Sequence, residues 1–294
     1  MTRVFTHRAL SHRLEPDAFV VSTETSHSLC RDFRLSTKEL LLALVEVARP
    51  HARPPVSNYH VGVAGLGNSG QIYLGVNLEF TGQALNQSVH AEQFMVVQAV
   101  THNEEGLKMM AGSAPPCGHC RQWLYEVNGG STLEVITPGS PATLLSSLLP
   151  HAFGPHDLDN RQPLLYPRSP GTQTAEGAAI PGCVSDAEKE PLILAAGAAA
   201  DLSYAPYSHC PAGVAIRTRD GRIHPGRYLE NVAFNPSLGP LQFALVLLVA
   251  RGYAWDELEE VCLVEKAGSI SQEHATRTLL TSIAPHAPLH VRRF

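Results

Sequence analysis

The sequence predicts an α/β protein that is built from two tandem copies of one layered domain. The length of 294 residues fits two domains of ordinary size. Helix and strand patterns alternate along the first half, which is typical of a sheet with helices on its faces. The pattern of the first half returns in the second half, and such an internal repeat indicates a repeated fold. We therefore expect two three-layer α/β domains, of which the second is a degenerate copy.

The first definite element is a helix that begins at Ser36. Ser36 and Glu39 have the spacing of a capping box, an apolar run follows from Leu40 to Ala48, and Pro50 ends the pattern. Residues 1–35 show no clear period. We treat them as an N-terminal extension of unknown role.

A hairpin and an alternation of helices and strands follow in the first half. The turn Gly67-Asn-Ser-Gly70 separates two strand patterns, Tyr59–Leu66 and Gln71–Phe80, and predicts the hairpin. Beyond the loop at residues 81–89, the predicted elements are a helix that starts at His90, a strand at Leu107–Ser113, a helix that starts at Cys117, a strand at Leu133–Thr137 and a helix at Ala142–Leu149.

The domain boundaries follow from composition. Residues 166–190 are rich in Pro, Gly, Ser, Thr and Ala and are typical of an interdomain linker. We expect a first domain over residues 36–165 and a second over residues 191–294.

Two short motifs in the first domain predict a catalytic zinc site. His90, Cys117 and Cys120 supply three ligands of the types that zinc prefers, and a zinc ion with three protein ligands keeps one position for water. Zinc lowers the pKa of a bound water to about 7, so hydroxide becomes available at neutral pH. Both ligand-bearing helix starts carry partial positive charge, which favours thiolates, and Arg121 beside Cys120 would further offset their negative charge.

Glu92 is the expected proton carrier of this site. It lies two residues after His90, in the first turn of a helix, and it is not needed as a ligand. The pattern His-x-Glu with Pro-Cys-x-x-Cys is the signature that is known for zinc deaminases of cytosine and adenine. The alternative is that His90 caps a helix, that Glu92 is a surface carboxylate, and that the cysteines are core residues or hold a structural zinc.

The repeat predicts that the second domain binds no metal. A shift of 151 residues gives 10 identities in the 25 positions from 55 to 79, without a gap. With one deletion in the next loop, His90, Ala91 and Glu92 align with Pro240, Leu241 and Gln242, and no Pro-Cys-x-x-Cys follows residue 183. Proline cannot bind zinc and glutamine cannot carry a proton.

Composition narrows the classes of substrate and the compartment. A net charge of −5 and a pI of about 6.3 disfavour a protein that wraps nucleic acid, because such binding needs a basic surface. No window is apolar enough for a membrane span, and the N-terminus lacks the apolar core of a signal peptide. Six cysteines over this length make no disulfide framework, so a cytoplasmic protein is expected, with free thiols at Cys30, Cys183, Cys210 and Cys262.

From Ser36 onward the chain resembles the dimeric, two-domain type of cytidine deaminase. The segments that carry the resemblance are Ser57–Gly62, Gly75–Phe80, Val89–Gln93, Pro116–Gln122, Ala152–Pro155, Tyr228–Asn231 and Phe234–Pro236. The resemblance implies one zinc ion per chain, held by His90, Cys117 and Cys120, with Glu92 as the proton shuttle. The implied reaction is the hydrolytic deamination of cytidine and 2′-deoxycytidine in pyrimidine salvage.

The resemblance also implies roles for four residues that would contact substrate. Asn77 and Glu79 would bind the ribose 3′-hydroxyl, Tyr59 would line the nucleoside pocket, and Phe153 would reach the base that is bound in the other subunit of a homodimer. The metal-free domain would help to build the subunit interface. Tyr59 replaces the usual phenylalanine, and Pro115 replaces a usual threonine or serine. The residues alone leave open that Asn77 and Glu79 bind loop amides, that Phe153 is a core residue and that Arg121 is solvated.

Three rival functions remain. Two of them use the same metal site on another substrate, and the third uses zinc for stability alone. A polynucleotide-editing deaminase would need a basic channel beside the pocket. A nucleotide deaminase would need a basic residue for the phosphate, where Glu79 would repel it. A zinc-stabilised binding protein would close the fourth position of the metal with a protein ligand, and the motif supplies only three.

Overall fold

The computed structural model of the chain describes residues 10, 13–14, 19–167 and 190–294, and these form two compact units. The first unit comprises Met1–Glu79, Ser88–Pro167 and Asn231–Pro236, as far as these are described. The second comprises Phe80–Gln87, Arg168–Glu230 and Ser237–Phe294. Each unit thus contains a short segment from the other half of the chain. The predicted linker lies almost wholly outside the described residues.

The first unit is a six-stranded mixed sheet with helices. Its strands lie in the order β1-β3-β2-β4-β5-β6. The elements in chain order are β1 (Val20–Val21), α1 (Thr23–Phe33), α2 (Thr37–Ala48), β2 (Gly62–Gly67), β3 (Ile72–Val76), α3 (Ala91–Thr101), β4 (Leu107–Gly112), α4 (Gly118–Tyr125), β5 (Glu134–Ile136), β6 (Thr143–Leu144) and α5 (Leu145–Leu148).

Local sequence signals account for the helix and the hairpin that open this unit. The Ser36 hydroxyl accepts from the Glu39 amide at 3.3 Å, and the Glu39 carboxylate accepts from the Ser36 amide at 2.8 Å, so the predicted capping box is confirmed. β2 and β3 pair antiparallel around the predicted turn, where Gly70 has a φ of 89°. A side chain at that φ is strained, so glycine fits the turn.

Close approaches at two glycines show that the helices cover both faces of the sheet. A Cβ atom on Gly62 would point to the backbone of α2, at 2.6 Å from the Val45 carbonyl oxygen. A Cβ on Gly65 would point to Met95 of α3. Because these two strand positions have opposite parity, they face opposite sides of β2. α2 and α3 therefore lie on opposite faces, as the predicted three-layer domain requires.

The structure adds elements that the sequence patterns did not predict. Residues 20–33, inside the N-terminal extension, form β1 and α1, and β1 pairs antiparallel with β3. The predicted helix at Ala142–Leu149 is only partly right, because Thr143–Leu144 pair with β5 as strand β6 and the helix spans Leu145–Leu148. The two-residue strands β1 and β6 and the four-residue helix α5 carry too few residues for a periodic signal.

The second unit repeats the first with a four-stranded sheet in the order β10-β9-β7-β8. Its elements are α6 (Glu190–Asp201), β7 (Ala212–Thr218), β8 (Ile223–Arg227), α7 (Pro240–Val249), β9 (Leu258–Glu265), α8 (Glu273–Ile283) and β10 (Leu289–Arg293). α6 and α7 again lie on opposite faces, because a Cβ on Gly213 would meet Ala196 and Ala200 whereas a Cβ on Gly226 would meet Pro240 and Ala244.

The offset of 151 residues holds through the strand pairing of both sheets. Gly62 pairs with Val76, and Gly213 pairs with Arg227, 151 residues further along. The register of the central strand shifts between Leu66 and Gly67 in the first unit and between Arg217 and Thr218 in the second. The repeat thus extends to an irregularity of the backbone, as expected for two copies of one fold.

The structure corrects the alignment beyond the hairpins. Leu78 bridges to Val89, and Leu229 bridges to Leu238, so the offset falls to 149 and the second loop is two residues shorter rather than one. His90 therefore corresponds to Gly239, and Glu92 corresponds to Leu241 rather than to Gln242. Neither glycine nor leucine can bind a metal or carry a proton.

Candidate active site

The three predicted metal ligands lie at the starts of two helices of the first unit. His90 is the N-cap of α3, and Cys117 is the N-cap of α4, both with extended backbone. Cys120 lies in the first turn of α4 and is 1% exposed. Neither N-cap side chain caps its own helix, which leaves the imidazole and the thiol free to face a common point. Two positive helix ends converge there, and they favour anionic groups.

The distances between the ligand atoms fit a tetrahedral zinc ion. His90 Nδ1 lies 3.6 Å from Cys117 Sγ and 3.3 Å from Cys120 Sγ, and the two sulfur atoms are 3.6 Å apart. Bond lengths of about 2.3 Å to sulfur and about 2.0 Å to nitrogen at tetrahedral angles would separate these atoms by about 3.5 to 3.8 Å. These three side chains form the only such group among the residues that the structure describes.

The electrostatics of the cluster favour a thiolate. Hydrogen bonds with Cys120 and His90 lower the pKa of Cys117 to about 3. The hydrogen bond with Cys117 in turn raises the pKa of the His90 imidazole, against the effect of burial. The hydrogen bond with Cys117 and burial raise the pKa of Cys120, so the cluster places one anionic sulfur beside one thiol. Zinc binds the deprotonated forms of these side chains, so its binding would release protons from the cluster.

Glu92 lies beside the cluster without belonging to it. Its carboxylate is 5% exposed, in the first turn of α3, and interacts with Cys120. Burial raises the pKa of Glu92 above its ordinary value. A raised pKa favours the protonated carboxyl group, and a buried carboxyl group beside the ligands can donate a proton and take one back, as a general acid and base does.

His119 and Arg121 surround the ligands from α4. The His119 ring stacks on the His90 ring with centroids 4.8 Å apart, and His119 lies outside the ligand group. The Arg121 guanidinium donates to the carbonyls of Pro116 at 2.9 Å and Leu148 at 2.8 Å. Arg121 is therefore not simply solvated: it holds the backbone just before Cys117.

Asn77 and Glu79 both bind the loop at residues 56–61. The Asn77 side chain accepts from the Val61 amide and donates to the Tyr59 carbonyl, both at 2.9 Å. The Glu79 carboxylate accepts from the Ser57 hydroxyl at 2.5 Å and from the Ser57 and Val56 amides at 2.8 and 3.0 Å. Although burial opposes the shift, these hydrogen bonds lower the pKa of Glu79. Both side chains are half-buried and take part in shaping the loop that carries Tyr59.

The two aromatic residues that were predicted to contact substrate are exposed in the chain. Tyr59 is 59% exposed and Phe153 is 47% exposed. The carbonyl oxygen of Phe153 accepts from Gln122 of α4 at 2.8 Å. Phe153 is therefore not a core residue of its own unit.

Sequence reasoning missed Gln93, which joins the ligand helix to a distant segment of the chain. The Gln93 Oε1 atom accepts from the His90 amide at 3.0 Å, and its Nε2 atom donates to the Pro236 carbonyl at 3.1 Å. A glutamine at the third position of a helix is a capping-box signal. That signal was available, but the bond to Pro236 spans 143 residues and leaves no local pattern.

Two further findings concern cysteines and membranes. Cys30, Cys210 and Cys262 form no disulfide bond, as predicted, whereas Cys183 lies outside the described residues. Among the described helices, none has the length and apolar character that a membrane span requires.

Comparisons with known proteins agree with the geometry of the site. Two family models, each described as the cytidine and deoxycytidylate deaminase zinc-binding region, match residues 35–133 and 145–277. The second match covers a unit whose described residues hold no metal-ligand group.

Named relatives match nearly the whole chain. Cytidine deaminase 1 of Arabidopsis thaliana is 38% identical over 95% of this chain and 98% of its own length. A cytidine deaminase of Cronobacter sakazakii is 40% identical over 90% of this chain and 86% of its own. A crystal structure of a cytidine deaminase from Mycobacterium tuberculosis is 30% identical, covers 39% of this chain and 95% of its own, and has a TM-score of 0.37. With its His-Cys-Cys cluster, its zinc-binding family models and relatives of this coverage, the chain belongs to the cytidine deaminase family.

Proposed function

We propose that this chain catalyses the hydrolytic deamination of cytidine and 2′-deoxycytidine to uridine and 2′-deoxyuridine, with release of ammonia, in pyrimidine salvage. The observation that carries the proposal is the cluster of His90 Nδ1, Cys117 Sγ and Cys120 Sγ within 4.8 Å, with the buried Glu92 beside it and not among its ligands. A structural zinc site would have a fourth protein ligand, whereas a catalytic site keeps one position open.

The roles of the residues follow from their chemistry. His90, Cys117 and Cys120 would hold zinc, which when bound supplies a Lewis acid and a water molecule of lowered pKa. Glu92 takes a proton from the water that attacks C4 and delivers it to N3 of the cytosine ring. It then carries the proton of the new C4 hydroxyl group to the amine, which leaves as ammonia as the C4 carbonyl forms. Arg121 orients the backbone before Cys117 through its bond to the Pro116 carbonyl.

Substrate selection is assigned to the loop beside the metal cluster. Asn77 and Glu79 bind the ribose 3′-hydroxyl while they hold the loop, and Tyr59 lines the nucleoside pocket. The hydrogen-bonding capacity of the Glu79 carboxylate supports this, because each of its oxygens has more than one acceptor site. Its negative charge disfavours a substrate with a phosphate close to the sugar.

The assembly and the division of the chain belong to the same proposal. The chain forms a homodimer, and Phe153 of the partner subunit contacts the bound base; the exposure of Phe153, Leu158 and Tyr166 supports this arrangement. Residues 36–165 are the catalytic domain, and residues 191–294 are a metal-free domain. The free thiols fit a cytoplasmic location, where disulfides are rare.

The test of the reaction is the loss of cytidine absorbance, with zinc measured on the same sample. We expect turnover, about one zinc per chain, and a Glu92→Gln variant that retains zinc and loses at least about a hundredfold in kcat, as removal of a general acid and base does. Zinc without turnover would overturn the substrate. Full turnover of Glu92→Gln would overturn the proton carrier.

Substrate comparison separates the nearest rivals. Deoxycytidine is compared with its 5′-phosphate and with single-stranded DNA at two salt concentrations. We expect the free nucleoside to be preferred. A preference for the nucleotide would assign the chain to the deoxycytidylate branch that the family description also names. Salt-sensitive DNA binding would support a polynucleotide deaminase.

A further inference from the structure

The catalytic unit contains a segment from the second half of the chain, Asn231–Pro236, which is bound at three points. The Asn231 side chain donates to the Gln122 carbonyl at 3.0 Å. The Val232 amide donates to the Glu126 carboxylate at 2.8 Å. The Pro236 carbonyl accepts from Gln93 Nε2 at 3.1 Å.

These three bonds connect the segment to both ligand-bearing helices. Gln93 lies in the first turn of α3, and His90 is the N-cap residue of that helix. Gln122 lies in α4, which starts after Cys117, and Glu126 is its C-cap. The segment therefore spans the two helices whose starts supply the metal ligands.

The bonds are buried, so they are not easily exchanged with water. Gln93 is 2% exposed, and Asn231 and Glu126 are fully buried. A buried hydrogen bond is costly to lose, because the abandoned partner stays without water. Phe234, at the exposed tip, has a φ of 62°. A non-glycine residue in that region is strained and persists only where the surroundings fix the conformation.

We propose that Gln93 is a positioning residue for the zinc site, and that it fixes the His90 end of α3 to α4 through the segment Asn231–Pro236. This rests on the zinc site of the proposed function. Gln93 lies outside the ligand group, and both of its polar atoms bind the protein: its Oε1 atom holds the His90 backbone while its Nε2 atom holds the segment. Partners of metal ligands typically contribute ten- to a hundredfold to metal affinity.

The second unit supplies a matched control. Gln242 occupies the third position of α7, as Gln93 does in α3, and its Oε1 atom accepts from the Gly239 amide at 2.9 Å. Its Nε2 atom donates to the carbonyl of Gln87 at 3.1 Å, and Gln87 belongs to the segment Phe80–Gln87 of that unit. The same two bonds thus occur in a unit whose described residues contain no metal-ligand group.

The experiment compares glutamate and leucine at both positions in the full-length chain. Gln93→Glu and Gln242→Glu keep the acceptor for the helix amide and lose the donor, whereas Gln93→Leu and Gln242→Leu lose both bonds. Zinc release to a chromophoric chelator, the visible spectrum of the cobalt-substituted protein and the melting temperature are measured for each variant.

We expect the two Gln93 variants to release zinc at least about tenfold faster and to shift the cobalt–thiolate absorption, while the Gln242 variants change the melting temperature alone. Asn231→Asp keeps the acceptor for the Ala233 amide and loses the donor to Gln122. It should also speed zinc release, and it decides the question if both Gln93 variants fail to fold. Equal zinc release in wild type, Gln93→Glu and Asn231→Asp would overturn the inference, as would an equal effect of the Gln242 variants. A wild-type chain that binds no zinc would instead overturn the metal site itself.

Discussion

Glu79 shows how one carboxylate in this chain can have a structural and a binding role together. Its three hydrogen bonds to residues 56 and 57 recur in the second unit, where Glu230 accepts from the Tyr207 amide and from the Ser208 amide and hydroxyl. Because the second unit has no metal-ligand group among its described residues, the recurring bonds shape the loop. Substrate binding by Glu79 would be added to this structural role in the loop.

The Ser57 hydroxyl group offers a test of how the structural role of Glu79 supports its role in substrate binding. Its Oγ atom donates to Glu79 and accepts from the Tyr59 amide at 3.0 Å, as Ser208 does for Glu230 and the Cys210 amide. Loss of one such hydrogen bond costs about 1 kcal/mol, so we expect Ser57→Ala to raise the KM for cytidine by roughly three- to tenfold with little change in kcat. Steady-state kinetics measure this.

Ser208→Ala is the matched control. It should lower the melting temperature about as much as Ser57→Ala does and leave KM unchanged. If Ser208→Ala raised KM equally, the effect of Ser57 would be one of general stability and not of positioning Glu79 and Tyr59.

Residue-level motifs predicted the ligand set because metal chemistry restricts it to few residue types. The positions of His90, Cys117 and Cys120 needed only spacing and donor type. The loop contacts of Asn77 and Glu79 were an open alternative in the sequence, because a side chain on a strand end can face either ligand or loop. Gln93 escaped notice because its partner lies in the other half of the chain.

At the scale of elements, the hairpin of β7 and β8 contains a buried histidine that the sequence did not single out. His224 is 1% exposed, and its Nδ1 atom lies 2.8 Å from the Arg251 guanidinium, which can only donate. Nε2 therefore carries the proton and faces Thr218 Oγ1 at 3.2 Å, and Thr218 donates to Asp220 at 2.6 Å. Burial and the charge of Arg251 lower the pKa of His224 to about 4.

This chain of bonds predicts acid sensitivity in the second unit. The unfolded chain binds a proton at His224 below about pH 6.5, whereas the folded unit does so only below about 4. The unfolded state therefore holds more protons across that window, and stability falls as the pH drops from about 6.5 to 4, by at most about 3 kcal/mol. His224→Gln keeps an acceptor for Arg251 and a donor for Thr218 but does not titrate.

The measurement is the melting temperature of wild type and His224→Gln between pH 4 and 7. We expect the wild-type curve to fall more steeply with acid than the variant curve, so that the gap between the two curves changes steadily from about pH 6.5 down to pH 4. Parallel curves would show that His224 does not contribute.

Element positions were predictable where capping or turn chemistry marks them. Ser36 and Pro50 bound α2, and the turn Gly67-Asn-Ser-Gly70 sets the hairpin. The alignment beyond the second hairpin went wrong by one residue, because the loop before α7 is two residues shorter and loops leave no register signal. β6 was missed because a two-residue strand is defined by its partner, β5, and not by its own pattern.

At the scale of the whole molecule, the proposed dimer can be tested by complementation between two inactive variants. A chain with Phe153→Ala keeps its own Glu92, and a chain with Glu92→Gln keeps Phe153. If Phe153 acts in the site of the partner, a mixed dimer has one complete site of its two. We expect cytidine turnover to return when both variants are coexpressed, to about a quarter of wild type if half the dimers are mixed and each has one working site.

Two outcomes would contradict this assembly. Phe153→Ala with wild-type KM would show that the side chain does not contact the base. Coexpression without recovery, at a mass that confirms mixed dimers, would place Phe153 in the site of its own chain.

The sequence predicted a twofold repeat with one metal site, because identities at a fixed offset are visible in a single chain. It did not predict which segments each unit contains, because that depends on contacts across more than a hundred residues.

The segment Asn231–Pro236 also bears on why a copy without metal ligands is retained. A truncation that removed the second half would take six residues out of the catalytic unit, including the partners of Gln93, Gln122 and Glu126. Natural selection on deaminase activity would therefore act against loss of the second half, even though glycine and leucine stand where the first unit has His90 and Glu92. Such a copy is released from the need for a metal ligand and a proton carrier but not from the need for Asn231, and substitutions at Asn231 should be poorly tolerated when deaminase activity is the measure.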